Sequence, residues 1–235
     1  SVVVPHIDMS AAYITMVIGL VGTTIAPWMQ FYLQSSVVEK GISIKDLKYS
    51  KIDAVVGPAF TCIVAFFIVL ACASTIFSNG VAVNNVADVS KALLPLAGQY
   101  ASGLFALGFL NASLFAAVIL PLSTAYYVCE SLGLETGISK NFREAPVFHG
   151  LYLGIILLAT IIIMLPNVPL LPILYLSQVA NGILLPFILI FMLLIVNDRN
   201  IMGDYVNSRL FNYIAWATVI IVIGLSLGLV VTSFM

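Results

Sequence analysis

Charge is what this sequence has least of. Of its 235 residues only 8% are Asp, Glu, Lys or Arg, against 62% hydrophobic. A soluble domain draws about a quarter of its residues from those four types to cover its surface, so that class is excluded. Cysteine is scarce as well. Cys62, Cys72 and Cys129 share no CxxC spacing, which leaves no disulfide framework or zinc site and assigns them to packing. The histidines are His6 and His149, both in loops, and no pair of ionisable groups falls at membrane depth to act as acid and base. A net charge of -1 offers no basic surface to nucleic acid, so none is expected as a partner.

What the chain does have is long uncharged runs. None of the four charged types occurs between Asp8 and Glu39, Asp53 and Asp88, Lys91 and Glu130, Glu144 and Asp198, or after Arg209. Each run exceeds the roughly 20 apolar residues that cross a hydrocarbon core. The fourth is long enough for two crossings, divided by the turn at PNVP (Pro166 to Pro169). The reading is an all-α integral membrane protein, one transmembrane domain over residues 1–235, with six crossings. These lie at about 11–38, 54–77, 103–129, 150–165, 171–196 and 211–233, in contact with a lipid bilayer. Asp53 is placed to cap the second span, and VADVSKALLPL to form a short interfacial helix.

Eight of the nine basic residues fall in three loops, 39–53, 130–149 and 197–210, all on one side; Lys91 is the exception. The positive-inside rule makes that side cytoplasmic and both chain ends extracellular, in a multi-pass plasma-membrane protein. A chain that starts at Ser1 on the outer side is expected to be part of a longer protein whose earlier helices are missing. Glu39, Glu130 and Glu135 read as solvated charges at the cytoplasmic edge, and Asp198 and Arg199 as a loop joining helix ends.

Pro121 and Pro186 inside spans read as kinks. The first span is different: Gly19, Gly22, Thr23, Thr24 and Pro27 crowd its centre. Pro27 lacks an amide donor and pushes Ala26 away from helical geometry, so the helix is expected to be broken near 22–27. Freed carbonyls at that depth either meet an ion or solute lining a cavity, or mark a kink alone. Thr23 and Thr24 either serve such a site or bond back to their own helix. Gln178 either faces it or bonds across helices, and Trp28, Gln30 and Asn181 either line its path or pack.

Three stretches carry a family resemblance. GTTIAPWMQFYLQSS (Gly22 to Ser36) resembles the sixth helix of the NRAMP divalent-metal transporters, close to GATxMPHxxYLHS in that family. YLSQVANGILLPFILIFMLLIVNDRNIMGDYVN (Tyr175 to Asn207) resembles its tenth helix and following loop, LSQVxLSxQLPFALIPLLxxTSDRxxMGxFxN. The VADVSKALLPLAG segment is similar to its outer loop before the eighth helix. The resemblance implies helices six to eleven of a LeuT-type inverted-repeat fold: the second repeat plus one further helix. The first repeat, with the family's DPGN motif and metal-binding Asp and Asn, is missing and is the implied partner.

Carried over residue by residue, Thr23 falls where the family offers a backbone carbonyl to the metal. Ala26 replaces the metal-binding methionine, Trp28 the histidine, and Gln178 matches the glutamine of LSQV; Leu184 replaces a second glutamine. The implied metal set is Thr23, Ala26 and Gln178, direct or through water, with Thr24, Trp28, Gln30 and Asn181 in the second shell or pathway. Loss of the soft thioether removes a bias toward transition metals and suits partly hydrated Mg²⁺. That points to the NRAMP-related magnesium branch, Mn²⁺ also being accepted. With no histidine on the first span and no ionisable side chain but tyrosine in GLYLGIILLATIIIMLP, transport without obligatory proton coupling is expected. The alternatives are a proton-coupled Mn²⁺/Fe²⁺ transporter and a LeuT-type carrier of organic solutes. No cofactor, no enzymatic activity and function as a monomer are expected.

Overall fold

The computed structural model describes residues 10–78, 80, 83, 88–90 and 98–233. All regular structure in them is helical. The chain divides into two compact units, residues 1–31 with 167–235, and residues 32–166.

In the first unit, α1 (Ala11–Thr24) starts at Ser10, whose Oγ accepts the Tyr13 N–H at 3.4 Å. α2 (Pro27–Glu39) follows after two non-helical residues, with proline at its first position, where a missing N–H costs nothing. Its first five residues belong to this unit. The remaining helices of the unit are α6 (Leu170–Asn197), the single turn α7 (Arg199–Met202) and α8 (Arg209–Ser233). α1 packs on both α6 and α8, around Ile14, Ile18, Val179 and Leu225. At the far end of α6, Asn197 and Asn212 exchange amide hydrogen bonds at 3.0 and 2.5 Å, and Asn207 adds a third at 3.2 Å. This amide cluster ties α6 to α8. Asp198, expected to help join helix ends, lies between α6 and α7 and caps α7 by accepting the Asn200 N–H at 2.8 Å.

The second unit holds the remainder of α2 and α3 (Leu47–Cys72), α4 (Ala101–Ser131) and α5 (Pro146–Met164). α2 and α4 stop in the same way. Gly41 (φ 61°) lets the Ile42 and Gly41 amides bond Val37 and Val38 carbonyls at 3.2 and 3.0 Å. Gly133 (φ 67°) lets the Leu134 and Gly133 amides bond those of Cys129 and Glu130 at 2.8 and 3.1 Å. Both are Schellman motifs, which only a residue without a Cβ closes easily. α3 begins seven residues before the span expected at 54, because Asp46 rather than Asp53 organises its start: the Asp46 carboxylate accepts from Ser43 N–H and Oγ–H at 3.1 and 2.9 Å. A π-helical turn, Ala73–Phe77, continues α3. α5 begins at Pro146, not 150, since proline is preorganised for a first turn.

Among the described residues, five helical stretches are long and apolar enough to cross a membrane: Ala12–Glu39, Ile44–Phe77, Ala101–Ser131, Pro146–Met164 and Leu170–Asn197. The sixth expected span coincides with α8, whose Arg209–Leu225 part is a shorter apolar helix by the same measure. The interfacial helix expected over VADVSKALLPL lies largely outside the described residues, of which 88–90 are helical. Of the free cysteines, Cys129 is buried in the core while Cys62 is exposed on α3.

Candidate functional site

The break is narrower than 22–27. Gly22, Thr23 and Thr24 remain helical, and only Ile25 (φ -122°, ψ 77°) and Ala26 leave the spiral. The last helical bond runs from Ile25 N–H to the Val21 carbonyl at 2.9 Å. Pro27 has no N–H to offer the Thr23 carbonyl, the bond a continuous helix would make there. Thr24 bonds back to the Leu20 carbonyl through Oγ1 at 2.7 Å, which spends its hydroxyl proton on α1.

Glycine explains why helicity persists to Thr24. A Cβ on Gly22 would sit 2.1 Å from the Gln178 carbonyl oxygen and 2.5 Å from the Gly182 nitrogen. A Cβ on Gly182 would sit 2.5 Å from the Ile18 carbonyl oxygen. α1 and α6 therefore meet backbone to backbone, which pins the last turn of α1 in helical form. The same contact brings the backbone of Gln178 to the residue that precedes Thr23. On α6 the Gln178 and Asn181 side chains are half-buried, and Asn181 Nδ2 donates to Gln178 Oε1 at 3.3 Å.

The structure thus brings Gln178 and Asn181 together, and brings Gln178 to the end of α1 that carries Thr23. Ala26 is buried at 4% exposure and adds no polar atom, while Thr23 is exposed. Trp28 and Gln30 lie half-buried on the first turn of α2. Gly182 was missed by sequence reasoning. Its signal was the Asn-Gly pair inside an otherwise apolar helix, where glycine marks close backbone approach.

The oxygens that these segments offer are neutral: backbone carbonyls at the break and the amides of Gln178 and Asn181. Oxygen ligands suit hard or borderline divalent cations. No group of three or more His, Cys, Asp or Glu side chains among the described residues is placed to hold a metal. A neutral donor set of this kind would need a carboxylate to balance a cation's charge.

A second polar cluster, in the other unit, corrects the reading of the glutamates. Glu39 and Glu130 are not merely solvated. Ser35 Oγ donates to Glu130 Oε1 at 2.8 Å, Tyr126 OH donates to Glu39 Oε1 at 2.8 Å, and Ile138 N–H donates to the Tyr126 oxygen at 3.0 Å. Ser35 and Tyr126 are each 2% exposed. Around them pack Phe148, in edge contact with Tyr126 at 4.7 Å, and Tyr32 at 5.9 Å. Glu135, paired with Lys140, is exposed as expected.

Helices of this length and hydropathy, one of them broken at Ile25 and Ala26, define a multi-pass helical membrane protein. The profile of the natural resistance-associated macrophage protein-like (Nramp) family matches residues 1–232, and the chain belongs to that family. Among curated relatives, the divalent metal cation transporter MntH of Clostridium acetobutylicum is 26% identical over 230 residues, covering 94% of this chain and 50% of the relative. MntH of Nostoc is 27% identical over 225 residues, 92% of this chain and 50% of that protein. MntH 1 of Pseudomonas aeruginosa is 29% identical over 214 residues, 86% and 47%. The chain spans about half the length of the curated relatives it matches. Those relatives are transporters by name, in line with a chain that is not an enzyme.

Proposed function

We propose that this chain is half of a divalent-metal transporter, corresponding to helices six to eleven of a LeuT-type inverted repeat, with its Lys-rich loops cytoplasmic. The observation that carries the reading is the α1–α6 contact. It packs Gly22, the neighbour of Thr23, against the backbone of Gln178 and Gly182, which supports a site shared by the Thr23 carbonyl, left without a helical donor by Pro27, and the Gln178–Asn181 amide pair. The metal is held by these neutral oxygens and waters on one face, and by carboxylate and amide ligands from the absent repeat on the other. Alternating access then exposes it to either side.

Mg²⁺ is the preferred cargo in this reading, with Mn²⁺ accepted. Ala26 puts a small apolar side chain where a thioether would favour softer metals, and Mg²⁺ retains waters that a roomier oxygen-lined site accommodates. Transport runs down the metal's own gradient, because α5 carries no ionisable side chain beyond His149 in its first turn and Tyr152. The competing reading, proton-coupled Mn²⁺/Fe²⁺ transport, draws support from relatives named only as divalent metal cation transporters.

Flux in proteoliposomes holding the whole transporter separates the two. Mg²⁺ entry without internal acidification is expected. Metal-dependent acidification with Mn²⁺ entry and no Mg²⁺ entry would overturn the magnesium reading. Ala26→Met should move the Mn²⁺/Mg²⁺ preference toward Mn²⁺ by about tenfold, or about 1.4 kcal/mol. Unchanged selectivity in that variant would remove Ala26 from the site.

A further inference from the structure

The Ser35–Glu130 and Tyr126–Glu39 hydrogen bonds have no part in metal binding, yet they are built with unusual regularity. Ser35 and Glu39 are four residues apart on α2, and Tyr126 and Glu130 four apart on α4, so each pair lies on one helix face one turn apart. Each helix presents one hydroxyl and one carboxylate, and the two bonds run in opposite directions between them. Gly137 (φ 143°) closes the cluster: a Cβ there would lie 3.3 Å from Glu39 Oε1.

We infer that this crossed pair is a latch that releases during each transport cycle, and that Ser35, Glu39, Tyr126 and Glu130 control release of metal on the Lys-rich side. It rests on the proposed transport function. The chemistry is that of a fastening which opens, not of a permanent strut. Among the described residues the ion pair is Glu135–Lys140, so the latch carboxylates are held by neutral donors rather than by a buried cation. Both glutamates are exposed and gain water as soon as the helices part. Each hydroxyl has another partner on release: the Tyr126 oxygen still accepts the Ile138 N–H while its O–H turns to the water that enters, and a helical serine can turn to the carbonyl four residues before it. A hydrogen bond to a charged group biases an equilibrium by roughly ten- to a hundredfold. Two of them span the roughly ten-thousandfold range that carries a two-state element from mostly closed to mostly open.

The test uses the whole transporter in liposomes with Cys62, Cys72 and Cys129 replaced by serine. Spin labels at Gln34→Cys and Ser131→Cys, both exposed positions, report the α2–α4 distance whatever the cargo. Two distances are expected, with the longer population raised about tenfold by Tyr126→Phe combined with Ser35→Ala. A single distance, identical in the variant, would overturn the latch. In the second arm, Ser35→Cys and Glu130→Cys are joined by a short bis-methanethiosulfonate bridge. Mn²⁺ uptake should stop on bridging and return with reductant, while Mn²⁺ binding in detergent is retained. Uptake at the unbridged rate would also overturn it. Should the parent protein carry neither Mg²⁺ nor Mn²⁺, the transport reading fails, and the spin-label distances still decide whether the fastening opens.

Discussion

The two units hold their helices together by opposite means. In the first, α1 and α6 meet through Gly22 and Gly182 with no side chain between them, and α6 is tied to α8 by the neutral amides of Asn197 and Asn212. In the second, α2 and α4 meet through hydroxyl–carboxylate bonds backed by aromatic rings. The glycine contact is geometric: it has one separation and tolerates no added atom. The hydroxyl–carboxylate contact is electrostatic, and water can replace each half of it. A region that must hold a carbonyl beside an amide at fixed distance uses the first kind; a region that must open uses the second.

The sharpest way to break that contrast is Gly22→Ala. The added methyl would lie 2.1 Å from the Gln178 oxygen, a backbone atom that cannot rotate away. Helix separation should cost about 3 kcal/mol or more, at the top of the range for overpacking. Thermal unfolding of the whole transporter, followed by size-exclusion chromatography, should show little folded protein, and uptake should vanish. A variant that melts with the parent would mean that α1 and α6 are not in backbone contact.

Tyr126→Phe is the corresponding cut in the second unit and should cost less, about 2 kcal/mol. It deletes the donor to Glu39 and leaves the Ile138 amide without its acceptor, while the ring packing against Phe148 survives. Faster hydrogen exchange at Ile138, with the α1–α6 contact intact, is the expected signature. Slower still in effect is the removal of an amide from the first unit. Asn212→Ala should cost about 1 kcal/mol, because interhelical hydrogen bonds in membranes are individually weak and Asn197 retains the Leu193 carbonyl at 2.7 Å. Denaturant unfolding in mild detergent would read the difference.

Much of the first unit was legible because proline and glycine constrain the backbone directly. Pro27 announced the break, and LSQV announced the helix facing it. Its extent was overestimated since a sequence shows that helical bonding is interrupted, not what holds the preceding turn in place. Gly182, 160 residues from Gly22 in the chain, did that. The second unit was read less well. Glu39 and Glu130 look like any carboxylates at a membrane edge, and the hydroxyls that bind them, Ser35 and Tyr126, lie about 90 residues away in sequence. Nothing local marks such a pair, and the equal four-residue spacings acquire meaning only once α2 and α4 are side by side. The start of α3 was misplaced for a local reason, since Ser43 and Asp46 satisfy each other first.

The smallest effect tests whether charge matters at all outside the latch. The Glu135 carboxyl is held below its ordinary value of 4.5, first by the hydrogen bond from Lys140 and then by that ammonium's charge. A carboxyl whose folded pKa is depressed contributes stability above its unfolded pKa and loses it as pH falls through the folded value. The contribution should therefore be complete above the ordinary carboxylate range and be lost as acidification passes through the depressed folded value. Both partners are exposed to solvent, so screening keeps it small and about 1 M salt should erase it. Lys140→Gln should lower the neutral plateau of the melting-temperature profile slightly and leave its acid end unmoved, flattening the limb between them. The Asn212→Ala loss has no titrating member and should keep its size throughout that range. If it changed with pH as the Glu135 contribution does, the division between a neutral first unit and a charged second one would fail.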